Sequence, residues 1–161
     1  MQKQLEVKYL SFIDANLIQV LEDDCFDKHS RWSKTMIEDS INATTSKFFG
    51  AFLDEQMVGY CVFSDMEQEF ELLRICVLPT CQNYGIGYKL LTYAIDTLKG
   101  QLTQTLSTGE TNYAMFLEVS ANNITAQKLY TKCGFKQICV RKNYYVEENQ
   151  QVDAIIMRLL V

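Results

Sequence analysis

The sequence predicts an α/β domain of the α+β kind: a mixed, mostly antiparallel sheet of about seven strands, with four helices and one parallel pair. Three observations predict it. Seven short runs are apolar or alternate apolar with polar residues, as strands do. Four other stretches carry apolar residues at helical spacing. One of these, after Gly85, lies between two strand runs, and a helical crossover between strands implies a parallel pair. At 161 residues the chain is read as a single domain, residues 1–161, able to bury roughly 70% of the surface its unfolded form exposes.

In chain order, Leu5, Val7 and Tyr9 alternate with polar residues and give a short first strand. Asp14 caps a helix through Phe26 that places Ile13, Leu17, Ile18, Leu21 and Cys25 on one face. Ser33 opens a second, shorter helix carrying Met36, Ile37 and Ile41. Phe48 to Leu53 and Met57 to Ser64 form a hairpin around Asp54-Glu55-Gln56. Glu69 to Val77, with its nearly continuous apolar run, extends the hairpin to a meander and suits a strand buried on both faces. Pro79 ends it, since proline cannot donate to a ladder.

The third helix carries Ile86, Leu90, Leu91, Ala94, Ile95 and Leu98 on one side and is opened by Gly85 and Gly87. Gly100 to Asn112, rich in Thr, Gln and Ser, reads as a flexible loop far from the helix start and of little consequence for chemistry. Ala114 to Val119 is the next strand. Asn122 or Asn123 caps a last helix, Ile124 to Cys133, with Ala126, Leu129, Tyr130 and Cys133 inward, and Gly134 stops it. Phe135 to Tyr145 and Val152 to Leu160 close the chain as a hairpin.

Glycines at a helix start bring unpaired backbone N–H groups and the positive end of the helix dipole within reach of a phosphate. Alone, such a turn is better explained by tight backbone geometry with no ligand. A dinucleotide fingerprint needs a third small residue where Leu90 stands, and an acid where Thr105 and Leu106 stand. A P-loop needs G-K-[ST], which is absent. What remains is Q-x-x-G-x-G, Gln82-Asn83-Tyr84-Gly85-Ile86-Gly87, after a buried strand. This resembles the acetyl-CoA motif of the GNAT N-acetyltransferase superfamily. The resemblance implies that the turn from Gln82 through Tyr88 holds the pyrophosphate of coenzyme A, and that Ile75, Cys76 and Val77 offer their backbone to the pantetheine arm.

Composition narrows the function classes. A net charge of -5, without a Lys/Arg cluster, argues against nucleic acid as a ligand and suits a basic peptide or an amine. Six cysteines that never form C-x-x-C, with one histidine, argue against a metal site and are expected to be reduced, mostly buried thiols. No apolar run reaches membrane-span length and the first residues lack a signal peptide's apolar core, so a cytoplasmic protein without membrane contact is expected.

Two residues could carry acid–base chemistry. Glu118 is a charge in the otherwise apolar Met115-Phe116-Leu117-Glu118-Val119; it is either a base or an outward-facing strand residue. Tyr130, on the inward stripe of the last helix, is either a proton donor or a core tyrosine. His29, the only histidine, reads as a solvated loop residue, while Trp32, the only tryptophan, either lines a substrate mouth or fills a packing gap.

The runs Leu117-Glu118-Val119-Ser120-Ala121-Asn122-Asn123, Leu129 to Phe135, Arg141-Lys142-Asn143-Tyr144-Tyr145 and Asp153 to Met157 closely resemble the bacterial ribosomal-protein-alanine N-acetyltransferases, the RimI type within that superfamily. The chain departs from their pattern at Arg31, where a proline often stands, and at Asn83-Tyr84, where the turn is usually more basic. The resemblance implies that Glu118 is the base for the substrate's N-terminal amine, Tyr130 protonates the coenzyme A thiolate, Asn123 contacts acetyl-CoA, and Trp32 and Tyr144 help shape the peptide site. Cys76 and Cys81, beside the turn, have no histidine to activate them and are read as bystanders. The implied activity is acetyl transfer from acetyl-CoA, directly and without metal, to the N-terminal alanine of a small-subunit ribosomal protein. A small-amine or other-peptide acetyltransferase and a noncatalytic acyl-CoA sensor are the alternatives.

Overall fold

The computed structural model describes residues 4–67, 69–105 and 113–161. Its elements follow in the order β1 (Leu5–Tyr9), α1 (Ala15–Cys25), α2 (Lys34–Asn42), β2 (Ser46–Leu53), β3 (Gln56–Asp65), β4 (Glu69–Val77), α3 (Ile86–Thr105), β5 (Ala114–Ser120), α4 (Ile124–Lys132), β6 (Lys136–Glu147) and β7 (Gln150–Leu160). The strands form one seven-stranded sheet in the order β1-β2-β3-β4-β5-β7-β6. β4 and β5 pair in parallel and the other neighbours are antiparallel.

Local chemistry accounts for the boundaries. Asp14 accepts from the Asn16 amide, Ser33 from Met36 and Asn123 from Ala126, each capping its helix; such a cap contributes about 1 kcal/mol. Gly134, at φ +97°, turns the chain out of α4, and the Phe135 amide returns to the Tyr130 carbonyl. The first hairpin turns on two residues, Asp54 and Glu55, both at positive φ, rather than on three; Gln56 already belongs to β3.

Helices cover both faces of the sheet. α3 and α4 cover one, where Leu90, Leu91, Ala94, Ile95 and Leu98 meet Phe49, Phe63, Leu72, Met115 and Leu117. Burying each such leucine is worth about 1.5–3 kcal/mol. α1 and α2 cover part of the other, where Ile18, Leu21 and Ile37 pack on Phe48, Tyr60, Val62 and Cys76.

Several expectations need correction. Leu17 and Met36 are about half exposed, because the inward stripes centre on Ile18, Leu21 and Ile37. Gly100 to Thr105 continues α3, which is 20 residues long, so the predicted loop is helical in its first part; residues 106–112 lie outside the described residues. Propensity explains the extension: Gln and Leu tolerate helix, and a single Gly100 costs only ~1 kcal/mol. β4 is not buried on both faces, since Leu73 is 40% exposed and Glu71 and Arg74 interrupt the apolar run. Among the cysteines Cys61 and Cys76 are buried, Cys25, Cys81 and Cys133 half-buried and Cys139 exposed; all are free thiols.

Candidate active site

The β4–β5 pair opens like a V. Its parallel ladder runs from Glu69 opposite Ala114 to Leu72 opposite Leu117 and stops there. Beyond that point β4 continues to Val77 on β3 alone, and β5 continues to Ser120 on β7 alone. The cause is a bulge. Phe63 opposes Leu72 and the next β3 residue, Val62, opposes Arg74, which leaves Leu73 as an extra residue that bends β4 away from β5. Ile75 and Val77 therefore face the α3 side, and the main chain from Leu73 to Val77 presents an edge to the gap.

At the end of that edge sits the glycine turn. Asn83 and Gly85 take positive φ, +66° and +77°, and the Lys89 amide closes the first helical turn on the Gly85 carbonyl. The amides of Ile86, Gly87 and Tyr88 thus occupy the first turn, where a helix supplies no acceptor. A Cβ on Gly87 would lie 3.6 Å from Leu129 and 3.7 Å from Val77, within the gap between β4 and α4. Gln82 does not point outward: its side-chain amide donates to the Val77 carbonyl at 2.9 Å and ties the turn to β4. Tyr84 is exposed, and the Tyr88 ring carries the Lys132 ammonium 4.4 Å from its centroid, bridging α3 and α4. A gap flanked by unpaired amides and a strand edge fits a phosphate followed by an extended amide chain.

Glu118 projects from β5 just past the last paired residue, opposite Ile156, on the α1/α2 side of the sheet. Its carboxylate accepts from Arg141 Nη1 at 2.5 Å. Glu71 stands on the same side and its carboxyl is pushed upward, first by burial and then by the Glu118 charge, with Arg141 opposing. The guanidinium is bonded to Glu118 alone, and Glu71 lies near enough to feel both charges. Tyr130 approaches from the other side of the sheet. Its ring is buried in a T-shaped contact with Phe135 at 6.2 Å, and burial holds its phenol above the ordinary value, so it keeps its proton at neutral pH. The Asn123 side-chain oxygen serves as the cap of α4.

Tyr144 lies half exposed on a second bulge. Arg141 opposes Ala154 and Tyr145 opposes Val152, so Lys142, Asn143 and Tyr144 together oppose Asp153. Asp153 holds the bulge by accepting from the Asn143 amide at 2.9 Å and from Lys142 Nζ at 2.7 Å. Arg141 lies 5.3 Å from the Tyr144 ring centroid. Trp32, half buried, sits in the α1–α2 loop, and His29 is exposed.

Cys76 turns its side chain into the α1/α2 core, where its hydrogen bond with Cys25 and burial hold the thiol well above its ordinary value. That suits a bystander rather than a nucleophile. Among the described residues no group of three His, Cys, Asp or Glu is placed to hold a metal ion, and no helix is long and apolar enough to cross a membrane.

Four charged residues escaped the sequence reading: Glu22, Glu71, Arg74 and Arg141. Glu22 and Arg74 each interrupt an apolar stripe, a signal of the same kind that singled out Glu118. Arg141 stands within a quoted motif but offered no periodicity to assign it.

Known proteins bear on this geometry. The family model described as "Acetyltransferase (GNAT) family" matches residues 16–135. The chain is 33% identical over 131 residues to the ribosomal protein bS18-alanine N-acetyltransferase of Haemophilus ducreyi, covering 80% of this chain and 82% of that protein. To the enzyme of the same description from Salmonella typhimurium it is 35% identical over 106 residues, 66% of either chain. The fold is similar to the crystal structure of the ribosomal-protein-S18-alanine N-acetyltransferase from Escherichia coli, with TM-score 0.84, 25% identity, and coverage of 98% of this chain and 94% of that one. It is also similar, at 17% identity and TM-score 0.75, to a Bacillus subtilis acetyltransferase in complex with CoA, covering 98% of this chain and 99% of that one.

Proposed function

Because the chain belongs to the acetyltransferase (GNAT) family, whose members draw on acetyl-CoA, we propose that it acetylates a protein N-terminus, the terminal alanine of a small-subunit ribosomal protein. The names of its relatives support the substrate. The observation that carries the chemistry is the opened β4–β5 pair, with the glycine turn at one end and Glu118 at the acceptor side of the point where pairing stops.

In this reading the amides of Ile86, Gly87 and Tyr88 hold the pyrophosphate, and the β4 edge from Ile75 to Val77 lines the pantetheine arm. The thioester supplies an activated acetyl group. Glu118, acting through water, takes the proton from the peptide's α-ammonium, whose pKa near 8 needs only a modest base. The freed amine forms the new N–C bond as the C–S bond breaks; the Tyr130 hydroxyl gives its proton to the departing sulfur and is restored, through water, by the second proton that the nitrogen sheds as it becomes an amide. Trp32 and Tyr144 flank the peptide, and most of the rate comes from holding amine and thioester together.

Coenzyme A release is measured with three peptides, one beginning Ala-Arg, one with a blocked terminus and a free lysine, and one beginning with Met, and separately with a small primary amine. Mass spectrometry locates the acetyl group. Acetylation confined to the free alanine terminus is expected. Turnover of a small amine with no turnover of any peptide would overturn the protein substrate, and bound acetyl-CoA without turnover would point to a sensor.

A further inference from the structure

Behind the cleft, on the α1/α2 side, one carboxylate collects donors from three parts of the chain. Glu22 of α1 has 0% of its surface exposed. Its Oε1 accepts from Tyr60 Oη of β3 at 2.5 Å and from Arg74 Nε of β4 at 2.9 Å. Its Oε2 accepts from Arg74 Nη2 at 2.6 Å and from the Trp32 backbone amide at 2.6 Å. Four donors use the four lone-pair positions a carboxylate offers. The Arg74 Nη2 also donates to the Ser30 carbonyl at 2.7 Å, and its guanidinium lies 3.6 Å from the Phe26 ring centroid and 5.4 Å from that of Trp32. The loop from Phe26 to Trp32 is therefore fastened at both its carbonyl and its amide side to a charge pair whose other half belongs to β4.

The pair exists because of the β4 bulge. Leu72 faces α3, and strict alternation would put Arg74 there too; the extra residue Leu73 turns Arg74 toward α1 instead. Arg74 directly precedes Ile75 to Val77, the edge assigned to the cofactor. The same irregularity thus opens the cleft and aims the anchor.

We infer that Glu22 and Arg74 are positioning residues for acceptor binding: they preform the Phe26–Trp32 loop against β4, so that Trp32 stands ready beside the incoming amine. This rests on the acetyl-transfer reading above. A buried ion pair is a poor device for stability alone, since apolar replacements of both partners are often neutral or stabilising, whereas removing one partner strands a buried charge. Its hydrogen bonds to Ser30 and Trp32 are what an apolar pair could not supply.

The test is the double substitution Glu22→Leu with Arg74→Met, which leaves no stranded charge and keeps the volume similar, alongside Arg74→Lys. Trp32 is the only tryptophan, so with selective excitation the acrylamide quenching of its emission reports the exposure of the loop, separately from any spectral shift caused by losing the nearby Arg74 charge. In the double variant we expect red-shifted emission, greater acrylamide quenching, and a KM for the alanine peptide raised about tenfold. The affinity for acetyl-CoA and kcat should stay near those of the parent, because β3 still holds the β4 main chain and neither side chain faces the gap. Arg74→Lys, which keeps the charge but loses the fork, should fall between. Unchanged quenching would overturn the inference whatever the substrate. A loosened loop with an unchanged acceptor KM, or a loss confined to kcat, would overturn it equally. Failure of the acetyl-transfer reading is separate: it would appear as parent protein inert toward every peptide, with the fluorescence still deciding whether the anchor holds.

Discussion

Arg141 Nη1 lies 2.5 Å from Glu118 Oε1, so the proposed base meets a guanidinium before it meets a substrate. The arginine comes from β6 and the glutamate from β5, with β7 between them in the sheet. The pair is not sealed, for the arginine side chain is about half exposed, and such pairs are worth only about 0.2–1 kcal/mol. An incoming ammonium can therefore compete for Glu118. Glu118→Gln is expected to lower kcat/KM at pH 7 by roughly 10²-fold or more, and less at pH 9, where free amine is abundant. Arg141→Gln removes the cation that an incoming ammonium must displace from Glu118 and should lower the KM for the peptide while leaving the Glu118 side chain in place. Initial rates between pH 6 and pH 9.5, roughly that window, check both; an equal loss at every pH would sink the base role.

Tyr130→Phe keeps the ring that packs on Phe135 and removes only the hydroxyl. Acetyl-CoA affinity by calorimetry should be unchanged while transfer slows by about 10²-fold. A collapse of binding or of melting temperature would make Tyr130 a purely structural residue.

Gly87→Ala separates fold from ligand. The added Cβ meets Leu129 and Val77 at ordinary contact distance, and Gly87 is already inside α3, so stability should hold or rise by up to ~1 kcal/mol. The methyl nevertheless occupies the gap between β4 and α4. Acetyl-CoA is expected to bind about tenfold more weakly, some ~1.4 kcal/mol; tight binding in a stable variant would move the cofactor elsewhere.

Glu71 gives a pH signature. Its carboxyl is raised by burial and by the Glu118 charge, so the native state holds that proton more tightly than the unfolded chain does. The stability it contributes is complete below the unfolded value, near ~4.3, and is lost as pH rises through the native one. Ionised Glu71 is thus a liability at neutral pH. Glu71→Gln should melt higher than the parent at pH 7, with the difference shrinking toward pH 4; a lower melting temperature at pH 7 would show the carboxylate to be compensated.

Much of this was legible in one dimension because the forces involved are local. Asp14, Ser33 and Asn123 announced their helices through caps that reach only two or three residues, and the turn from Gln82 to Gly87 follows from backbone freedom at its own glycine. The motif around Glu118 and Tyr130 likewise marked the strand and helix that flank the cleft. What no local pattern contains is register. The bulge at Leu73 is defined only by what lies across from it on β3, yet it decides that Ile75 and Val77 face α3 and that Arg74 faces Glu22. The charged partners of Glu22 and Glu118 lie 52 and 23 residues away in sequence, and a charge on an apolar stripe looks the same on paper whether it meets water or its counter-ion. The elements came from the sequence itself; which charges meet, and which strand edge is left open between them, was decided by the sheet.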